Sequence, residues 1–191
     1  MFARTERLIL RPIWPEDAES LAQALRDPDV ARSIPLSVAE PEPDAAHRLI
    51  DQPRDPRLPD FLAFLRTRGA PRLVGGAGLT HGEDGRPELR YWIERSHWGL
   101  GFATEATRAV MRIARATGLI GIRAGHYLDS PGSARVLRKL GFRPTGRVEP
   151  RLIRTPDTQV PIVEFEYADR PAEDRDDTAA EIYSDKLFRW A

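Results

Sequence analysis

The residues of this chain whose types and spacing could do chemistry form a glycine-rich turn that opens a helix. A strand is predicted over Glu88–Ile93, and the turn Trp98-Gly99-Leu100-Gly101-Phe102-Ala103-Thr104 follows it. The first turn of a helix leaves backbone N–H groups unpaired and carries a partial positive charge, so it binds phosphate groups well. Gly99 and Gly101 would let such a ligand approach the backbone closely. A tight turn without any ligand would explain the same glycines.

Two common phosphate-binding motifs do not fit this turn. A Walker loop is excluded because no Gly-Lys-Ser/Thr follows the glycines. A dinucleotide fingerprint fits poorly because the turn lies in the middle of the chain, after predicted hairpins, and not in an opening strand–helix–strand unit. If the turn binds a phosphate-bearing ligand, that ligand is of another class.

A second informative segment follows one strand later. Ser130–Phe142 begins a helix and ends it with Lys-Leu-Gly-Phe. Val136, Leu137 and Leu140 are spaced to form the inward face of that helix, and Gly141 is a typical residue just past a helix end.

Taken together, the two segments resemble the GNAT acetyltransferase superfamily, and most of all its RimJ/RimL-type branch. The founding members of that branch acetylate the N-termini of ribosomal proteins. The branch has a strand like Glu88–Ile93, a turn and helix start like His97–Ala106, a helix like Ser130–Phe142 and a first strand like Thr5–Pro12. The resemblance covers about residues 4–168. The joint match at this separation is specific, whereas either segment alone is not.

The resemblance implies a mixed α/β fold with a twisted central sheet, flanking helices and two splayed parallel strands. It also implies acetyl-CoA as the co-substrate, with its pyrophosphate on the backbone of the turn and its pantetheine arm between strands Glu88–Ile93 and Ile120–Tyr127. Unpaired backbone groups in the splay would bind the amides of that arm. The expected cofactor contacts are Trp98, Gly99, Leu100, Gly101, Phe102, Ala103, Thr104, Ser130, Arg135 and Arg138.

The same resemblance implies the catalytic groups. Glu88 occupies the acidic position of the family and is expected to act, through a water, as the base that deprotonates the amine. Arg90 shares a strand face with Glu88 because side chains alternate with a period of two. Arg90 is therefore a candidate for binding a carboxylate on the acceptor. A simple surface ion pair between Glu88 and Arg90 is the alternative.

Two positions depart from the family pattern. Ser130 stands where the family usually has asparagine. Leu137 stands where many GNAT enzymes outside this branch have a tyrosine that protonates the leaving thiolate. Ser133 or a water would then serve as the donor, and a modest donor suffices because the pKa of a thiol is about 8.5.

The composition narrows the class of protein. The chain has 191 residues, 41% of them hydrophobic, with 29 Lys and Arg against 29 Asp and Glu, so a generic nucleic-acid binder is disfavoured. Residues 108–154 nevertheless hold eleven cations and two acids, which suits a cofactor with phosphates. Cysteine is absent, which excludes disulfides and thiolate chemistry, and the four histidines lack metal-ligand spacing, so no metal is expected.

The chain is expected to divide into an acetyltransferase domain over 1–168 and a tail over 169–191. The predicted order of elements is β-α-loop-β-β-β-α-β-α-β-β. The connection at 31–60 is rich in proline and acids, contains one weak helical stretch around Ala45–Ile50, and would contact the acceptor. The tail begins as a charged linker, and residues 179–190 are expected to form a short amphipathic helix.

The sequence therefore predicts a cytoplasmic N-acetyltransferase that moves an acetyl group from acetyl-CoA to a primary amine by direct attack. The acceptor is a small amine or a protein N-terminus. No membrane or nucleic-acid partner is expected, and the protein would be a monomer or a homodimer. The alternative is a GNAT-fold protein that binds acyl-CoA as a regulator or partner with little activity.

Overall fold

The computed structural model describes residues 1–34, 44–152, 159–168 and 181–183, the last three and residues 151, 152 and 159 by backbone alone. The described residues form nine strands: β1 Phe2–Arg4, β2 Leu8–Arg11, β3 Asp60–Leu65, β4 Arg72–His81, β5 Pro87–Ile93, β6 Arg123–Tyr127, β7 Phe142–Leu152, β8 Gln159–Tyr167 and β9 Glu181–Tyr183. They also form five α-helices: α1 Ala18–Leu25, α2 Pro28–Ser33, α3 Ala45–Asp51, α4 Phe102–Ala116 and α5 Pro131–Lys139.

All nine strands belong to one sheet in the order β7-β8-β6-β5-β4-β3-β2-β1-β9. Neighbouring strands are antiparallel except for β5 and β6, which are parallel and are joined through α4. A parallel pair needs such a crossover connection. Short turns join β1 to β2, β3 to β4 and β4 to β5, whereas α1, α2 and α3 lie between β2 and β3. The predicted mixed α/β sheet with flanking helices is confirmed.

The parallel pair β5–β6 stays together only at its start. Glu88 lies opposite Arg123 and Leu89 lies opposite Ala124, and the pairing ends there. β5 continues to Ile93 and β6 continues to Tyr127, so the two strands diverge over their carboxyl-terminal halves. The structure thus contains the splayed parallel strands that the resemblance implies.

Helices cover both faces of the sheet. On one face, α4 and α5 bury an apolar stripe against the sheet, with Ala106, Val110, Ile113 and Leu137 at most 1% exposed. On the other face, α1, α2 and α3 enclose a smaller core. Alternate residues of each strand therefore face different helices, and this alternation decides on which side of the splay each side chain lies.

One prediction about the elements is confirmed and another needs correction. The helical stretch predicted around Ala45–Ile50 within the connection 31–60 is α3. The connection also contains the end of α2, a helix that Asp27 caps through a hydrogen bond from the Asp29 amide and that starts with Pro28. The amphipathic helix predicted over 179–190 is wrong at 181–183, which form β9 at the edge of the sheet, paired with β1. Ile182 and Tyr183 favour strands, and an edge strand offers unpaired backbone groups. The other residues of 169–191 lie outside the described residues.

The loop between β1 and β2 is tied to the first turn of α4. The carboxylate of Glu105 accepts hydrogen bonds from Thr5 Oγ1 at 2.6 Å, from the Arg7 amide at 2.8 Å and from Arg7 Nε at 2.7 Å. Arg7 also donates from Nη1 to the carbonyl of Leu100 at 3.0 Å, and its guanidinium lies over the ring of Phe102. This junction fixes the glycine-rich turn from outside.

We predict that Glu105→Gln destabilises the protein in a pH-dependent way. Burial would raise the pKa of Glu105, but the hydrogen bonds from Thr5 and Arg7 and the charge of Arg7 together lower it. A lowered folded-state pKa stabilises the fold above the unfolded pKa, and this stabilisation is lost as the pH falls through the folded pKa. The loss in free energy of unfolding should be roughly 1–3 kcal/mol at pH 7.

Urea unfolding over a pH series tests this. The difference in free energy of unfolding between the wild type and Glu105→Gln should shrink below about pH 4. Glu83→Gln, in the exposed β4–β5 turn, is the matched control and should stay close to the wild type. A loss for Glu105→Gln that is constant from pH 7 to pH 3 would contradict the argument.

Candidate active site

The glycine-rich turn has the geometry of an anion-binding helix start. Gly99 and Gly101 adopt left-handed backbone conformations, with φ of +77° and +84°, and Gly101 is the residue that caps α4. A Cβ atom on Gly99 would meet no heavy atom within 4 Å, so the backbone angle and not the space requires glycine there. The first intrahelical hydrogen bond joins the Glu105 amide to the Gly101 carbonyl. The amides of residues 102–104 are therefore left for a ligand.

Side chains at the turn are fixed by other contacts. The Trp98 indole Nε1 donates to the Ile93 carbonyl at 2.6 Å, which anchors the turn to the end of β5, while half of Trp98 stays exposed. Phe102 is buried against His97 and Arg7. At this turn a ligand would meet the backbone and the exposed indole of Trp98, not the ring of Phe102.

The predicted cofactor contacts on α5 lie at and near its start. Ser130 precedes the helix, and its side chain makes no capping hydrogen bond. Arg135 and Arg138 are exposed, and Arg138 extends over the ring of Phe165. Arg123, another cation of the basic segment 108–154, forms ion pairs with Asp84 and Glu164.

Backbone groups point into the splay between β5 and β6. The Glu94 amide donates to the Val74 carbonyl, which fixes the alternation of the antiparallel pair β4–β5. This alternation directs the N–H and C=O groups of Tyr91 and Ile93 away from β4 and toward β6. Because β6 pairs with β5 only as far as Leu89, the amide of Tyr91 faces the open splay.

Glu88 and Arg90 lie on the same face of β5, as predicted, and form a close ion pair. Arg90 Nη2 donates to Glu88 Oε2 at 2.9 Å, so the ion pair that the alternative interpretation expected is present, with Glu88 only 6% exposed. Glycines flank the carboxylate: a Cβ atom on Gly82 would lie 3.5 Å from Oε2, and one on Gly125 would lie 3.9 Å from Oε1. The carboxylate of Glu88 therefore lies close to the backbone of the β4–β5 turn and of β6.

Sequence reasoning missed a second buried carboxylate on this face. Glu164 of β8 lies opposite Gly125 and is 9% exposed. Its Oε1 is 2.6 Å from Arg123 Nη1, and Thr145 Oγ1 donates to its Oε2 at 3.1 Å. The alternation of Glu164 and Glu166 along a strand was the available signal, but strand order was needed to bring β8 beside β6.

A cavity of about 170 Å³ opens on the same face of the sheet, beneath α2 and α3. Arg90 and Trp92 line it from β5, and the pair Arg54–Asp60 lines it from β3 and the end of α3, with Arg54 Nε 2.9 Å from Asp60 Oδ2. Burial raises the pKa of Asp60, although Arg54 opposes this effect. A Cβ atom on Gly76 would lie 2.6 Å from the Trp92 indole nitrogen, so this glycine lets the indole lie against β4.

On the opposite face of the sheet, which α4 and α5 cover, Ser133 contacts Tyr91. The two hydroxyl oxygens are 2.6 Å apart, and the Tyr91 hydroxyl also lies 3.0 Å from the Ser133 carbonyl, to which it donates. Burial raises the pKa of Tyr91 to about 12, and the hydrogen bond with Ser133 lowers it only in part. Leu137, one turn after Ser133, is fully buried. Sequence reasoning singled out Ser133 but not Tyr91.

Two further features concern ligands and membranes. In the described part of the chain, no three His, Asp or Glu side chains are grouped so that they could hold a metal ion. Among the helices of residues 1–34 and 44–152, none is long and apolar enough to cross a membrane.

Comparison with known proteins identifies the family. Residues 7–143 match the model of the acetyltransferase (GNAT) domain. The chain belongs to the GNAT acetyltransferase family. It is 31% identical over 154 residues to the uncharacterized N-acetyltransferase YoaA of Bacillus subtilis, covering 74% of this chain and 82% of that protein. An uncharacterized N-acetyltransferase of Bacillus licheniformis is 28% identical over 146 residues, with the same coverage.

Solved structures share the GNAT fold at lower identity. A GNAT-family acetyltransferase from Bacillus anthracis superposes with a TM-score of 0.69 at 21% identity, covering 87% of this chain and 97% of that one. A protein from Vibrio cholerae, described as a candidate ribosomal-protein-serine acetyltransferase, superposes with a TM-score of 0.65 at 19% identity, covering 86% and 96%. These likenesses support the fold.

We predict that Gly101→Ala destabilises this GNAT domain through backbone strain. Left-handed angles cost an L-residue about 1–2 kcal/mol, and the nearest atom to the new Cβ, Arg7 Nη2 at 3.5 Å, adds no clash. Gly132→Ala is the matched control, because Gly132 also lies at the start of a helix, has open space and lacks a positive φ. Alanine there should be neutral or stabilising. Denaturant unfolding checks both variants, and equal effects would contradict the strain argument.

Proposed function

We propose that this protein is an acetyl-CoA-dependent N-acetyltransferase that transfers the acetyl group directly to a primary amine in a ternary complex. The observation that carries the proposal is the position of the splay. The strand β5 borders both the splay and the cavity, since Arg90, Tyr91 and Trp92 line the cavity. Glu88 lies on the cavity face of β5, and Ser133 lies on the face covered by α4 and α5. A thioester in the splay would thus meet an acceptor from one side and a thiol donor from the other.

The residues present fit acetyl-CoA. The amides of residues 102–104 would hold the pyrophosphate, and the exposed side chains of Arg135 and Arg138 would lie beside the nucleotide end. The bound co-substrate supplies an activated acetyl group as its thioester. The amide of Tyr91 points into the splay, where it would donate a hydrogen bond to the thioester carbonyl and stabilise the oxyanion that forms during attack.

Glu88 would act as the base through a water. Its carboxylate is nearly buried and is held by Arg90, which itself lines the cavity. An amine enters as its ammonium form and attacks only after losing a proton, and a carboxylate next to the attack site accepts that proton through one water. Arg90 presents its guanidinium to the same cavity and would bind a carboxylate or carbonyl oxygen of the acceptor.

The cavity and the family membership support the proposed class of acceptor. A cavity of about 170 Å³ admits a small amine or the first residue of a peptide, and aromatic and apolar groups such as Trp92 and Leu62 line it beside Arg90. We place the protein in the RimJ/RimL-type branch on its sequence motifs, and the structural neighbour described as a candidate ribosomal-protein-serine acetyltransferase is consistent with this placement.

An amine and peptide panel tests the proposed function. Purified protein is incubated with acetyl-CoA, and thiol release is measured with small amines, amino acid derivatives and peptides with free or blocked N-termini. Acceleration by at least one primary amine, and none by its blocked form, is the expected result. If CoA binds but no amine accelerates thiol release, the protein is an acyl-CoA-binding regulator or partner and not a transferase.

We predict that Glu88→Gln lowers kcat by about 10²-fold for the acceptor found in the panel, because the amide cannot take a proton. The residual activity should rise with pH as the free amine becomes more abundant in solution. Glu149→Gln, an exposed glutamate of β7, is the control and should match the wild type. An unchanged turnover and pH profile in Glu88→Gln would remove Glu88 from the mechanism.

A further inference from the structure

The contact between Tyr91 and Ser133 joins β5 to α5 on the side of the splay that α4 and α5 cover. Tyr91 lies on β5 just beyond the last residue that pairs with β6, and Ser133 lies in the first turn of α5. The residues are 42 positions apart in the sequence, and their hydroxyl oxygens are 2.6 Å apart. Residues on the same side of α5, such as Leu137, are apolar and buried, so Ser133 is the polar group that this helix turns toward β5.

Each hydroxyl carries one hydrogen, and the direction of the two hydrogens decides whether Ser133 can donate to a ligand. When Tyr91 donates to Ser133 Oγ, the hydrogen of Ser133 is directed elsewhere and can bind an anion. When Tyr91 donates to the Ser133 carbonyl at 3.0 Å, the hydrogen of Ser133 is used by Tyr91 instead. An anion beside Ser133 selects the first arrangement, and hydrogen bonds in such a chain strengthen one another.

We propose that Tyr91 is a positioning residue that holds the Ser133 hydroxyl as a hydrogen-bond donor to the leaving sulfur of CoA. This inference rests on the proposed function, because it needs the thioester in the splay. The Tyr91 hydroxyl donates to Ser133 Oγ, and the Ser133 hydroxyl donates to the sulfur. Tyr91 thus contributes twice, through its amide on the carbonyl side and through its phenol on the sulfur side.

The atoms and electrons of the step balance without proton loss from either hydroxyl. The amine attacks as the free base, after its ammonium proton has passed through water and Glu88 to solvent. Its nitrogen forms a bond to the thioester carbon, its second proton passes through water toward the freed Glu88 carboxylate, and the C–S bond breaks with its electron pair on sulfur. The sulfur leaves as a thiolate that accepts the hydrogen bond from Ser133 and later takes a proton from solvent. Full transfer from Tyr91 would be disfavoured more than about 10³-fold, since its pKa of about 12 lies well above that of a thiol, about 8.5.

The raised pKa of Tyr91 keeps the phenol protonated across the pH range in which an amine attacks. A phenolate could not donate to Ser133 and would repel a thiolate. The ion pair Glu88–Arg90 lies on the other face of β5, away from the phenol. Burial by the sheet and α5 therefore maintains Tyr91 as a permanent donor.

The test measures the pKa of the thiol of CoA bound to the protein, from the ultraviolet absorbance of the thiolate over a pH series. In the wild type it should lie below the free value. Ser133→Ala should raise it by about 1 to 2, the worth of one hydrogen bond to a charged group, and Tyr91→Phe should raise it by a smaller amount. Adding Tyr91→Phe to Ser133→Ala should change nothing further, because Tyr91 acts only through Ser133.

Kinetics and controls complete the test. Tyr91→Phe should lower kcat several-fold with little change in the KM for acetyl-CoA, and Ser133→Thr, which keeps the hydroxyl, should restore most of the loss seen in Ser133→Ala. Tyr167→Phe removes a phenol from the buried far end of β8 and should leave the thiol pKa unchanged. Unfolding midpoints show whether each variant is folded.

The outcomes separate this inference from the proposed function. If CoA does not bind to the wild type, the proposed function fails. If CoA binds and its thiol pKa is the same in the wild type, Tyr91→Phe and Ser133→Ala, the inference alone is overturned. Additive effects of the two substitutions would also overturn it, because Tyr91 would then act independently of Ser133.

Discussion

The arrangement of this protein depends on one constraint, the loss of backbone pairing between two parallel strands. β5 and β6 pair at Glu88 and Leu89 and then diverge. Backbone N–H and C=O groups in a folded protein need partners, so an interrupted ladder inside a sheet marks a place where a ligand can complete it. The amide of Tyr91 faces this opening, and the turn of α4 begins where β5 ends. The loss of pairing therefore creates the cleft and leaves the amide of Tyr91 directed into it.

The buried carboxylates around the splay are each paired with an arginine. Glu88 is held by Arg90, and Glu164 is held by Arg123 and Thr145. Breaking such a pair leaves a buried charge without compensation, so these carboxylates are fixed in place by their partners. The formal net charge of zero conceals this local order. Part of the basic segment 108–154 serves the sheet, and the exposed arginines of α5 remain beside the expected cofactor.

Local sequence patterns were enough to predict the turn and the strand that carries Glu88. Gly99 and Gly101 occur where left-handed angles are required, and a period of two correctly placed Glu88 and Arg90 on one face. These features depend on neighbours in the sequence, which explains why reasoning from residue types found them.

Features that depend on distant parts of the chain could not be predicted in this way. The contact between Tyr91 and Ser133 needs the packing of α5 against β5, and the approach of Glu164 to Arg123 needs the order of the strands. The edge strand β9 was predicted as helix because Glu181 to Tyr183 carry no signal for the partner β1. Tertiary context decided each of these cases.

The most direct test of this account is residue-resolved hydrogen exchange of backbone amides with and without CoA. The account predicts that CoA slows exchange at Tyr91 in the splay and at residues 102–104 in the turn, while the amide of Glu19, in the first turn of α1, changes little. Binding of CoA that leaves Tyr91 and the turn unprotected would contradict the claim that the splay and the helix start together form the cofactor site.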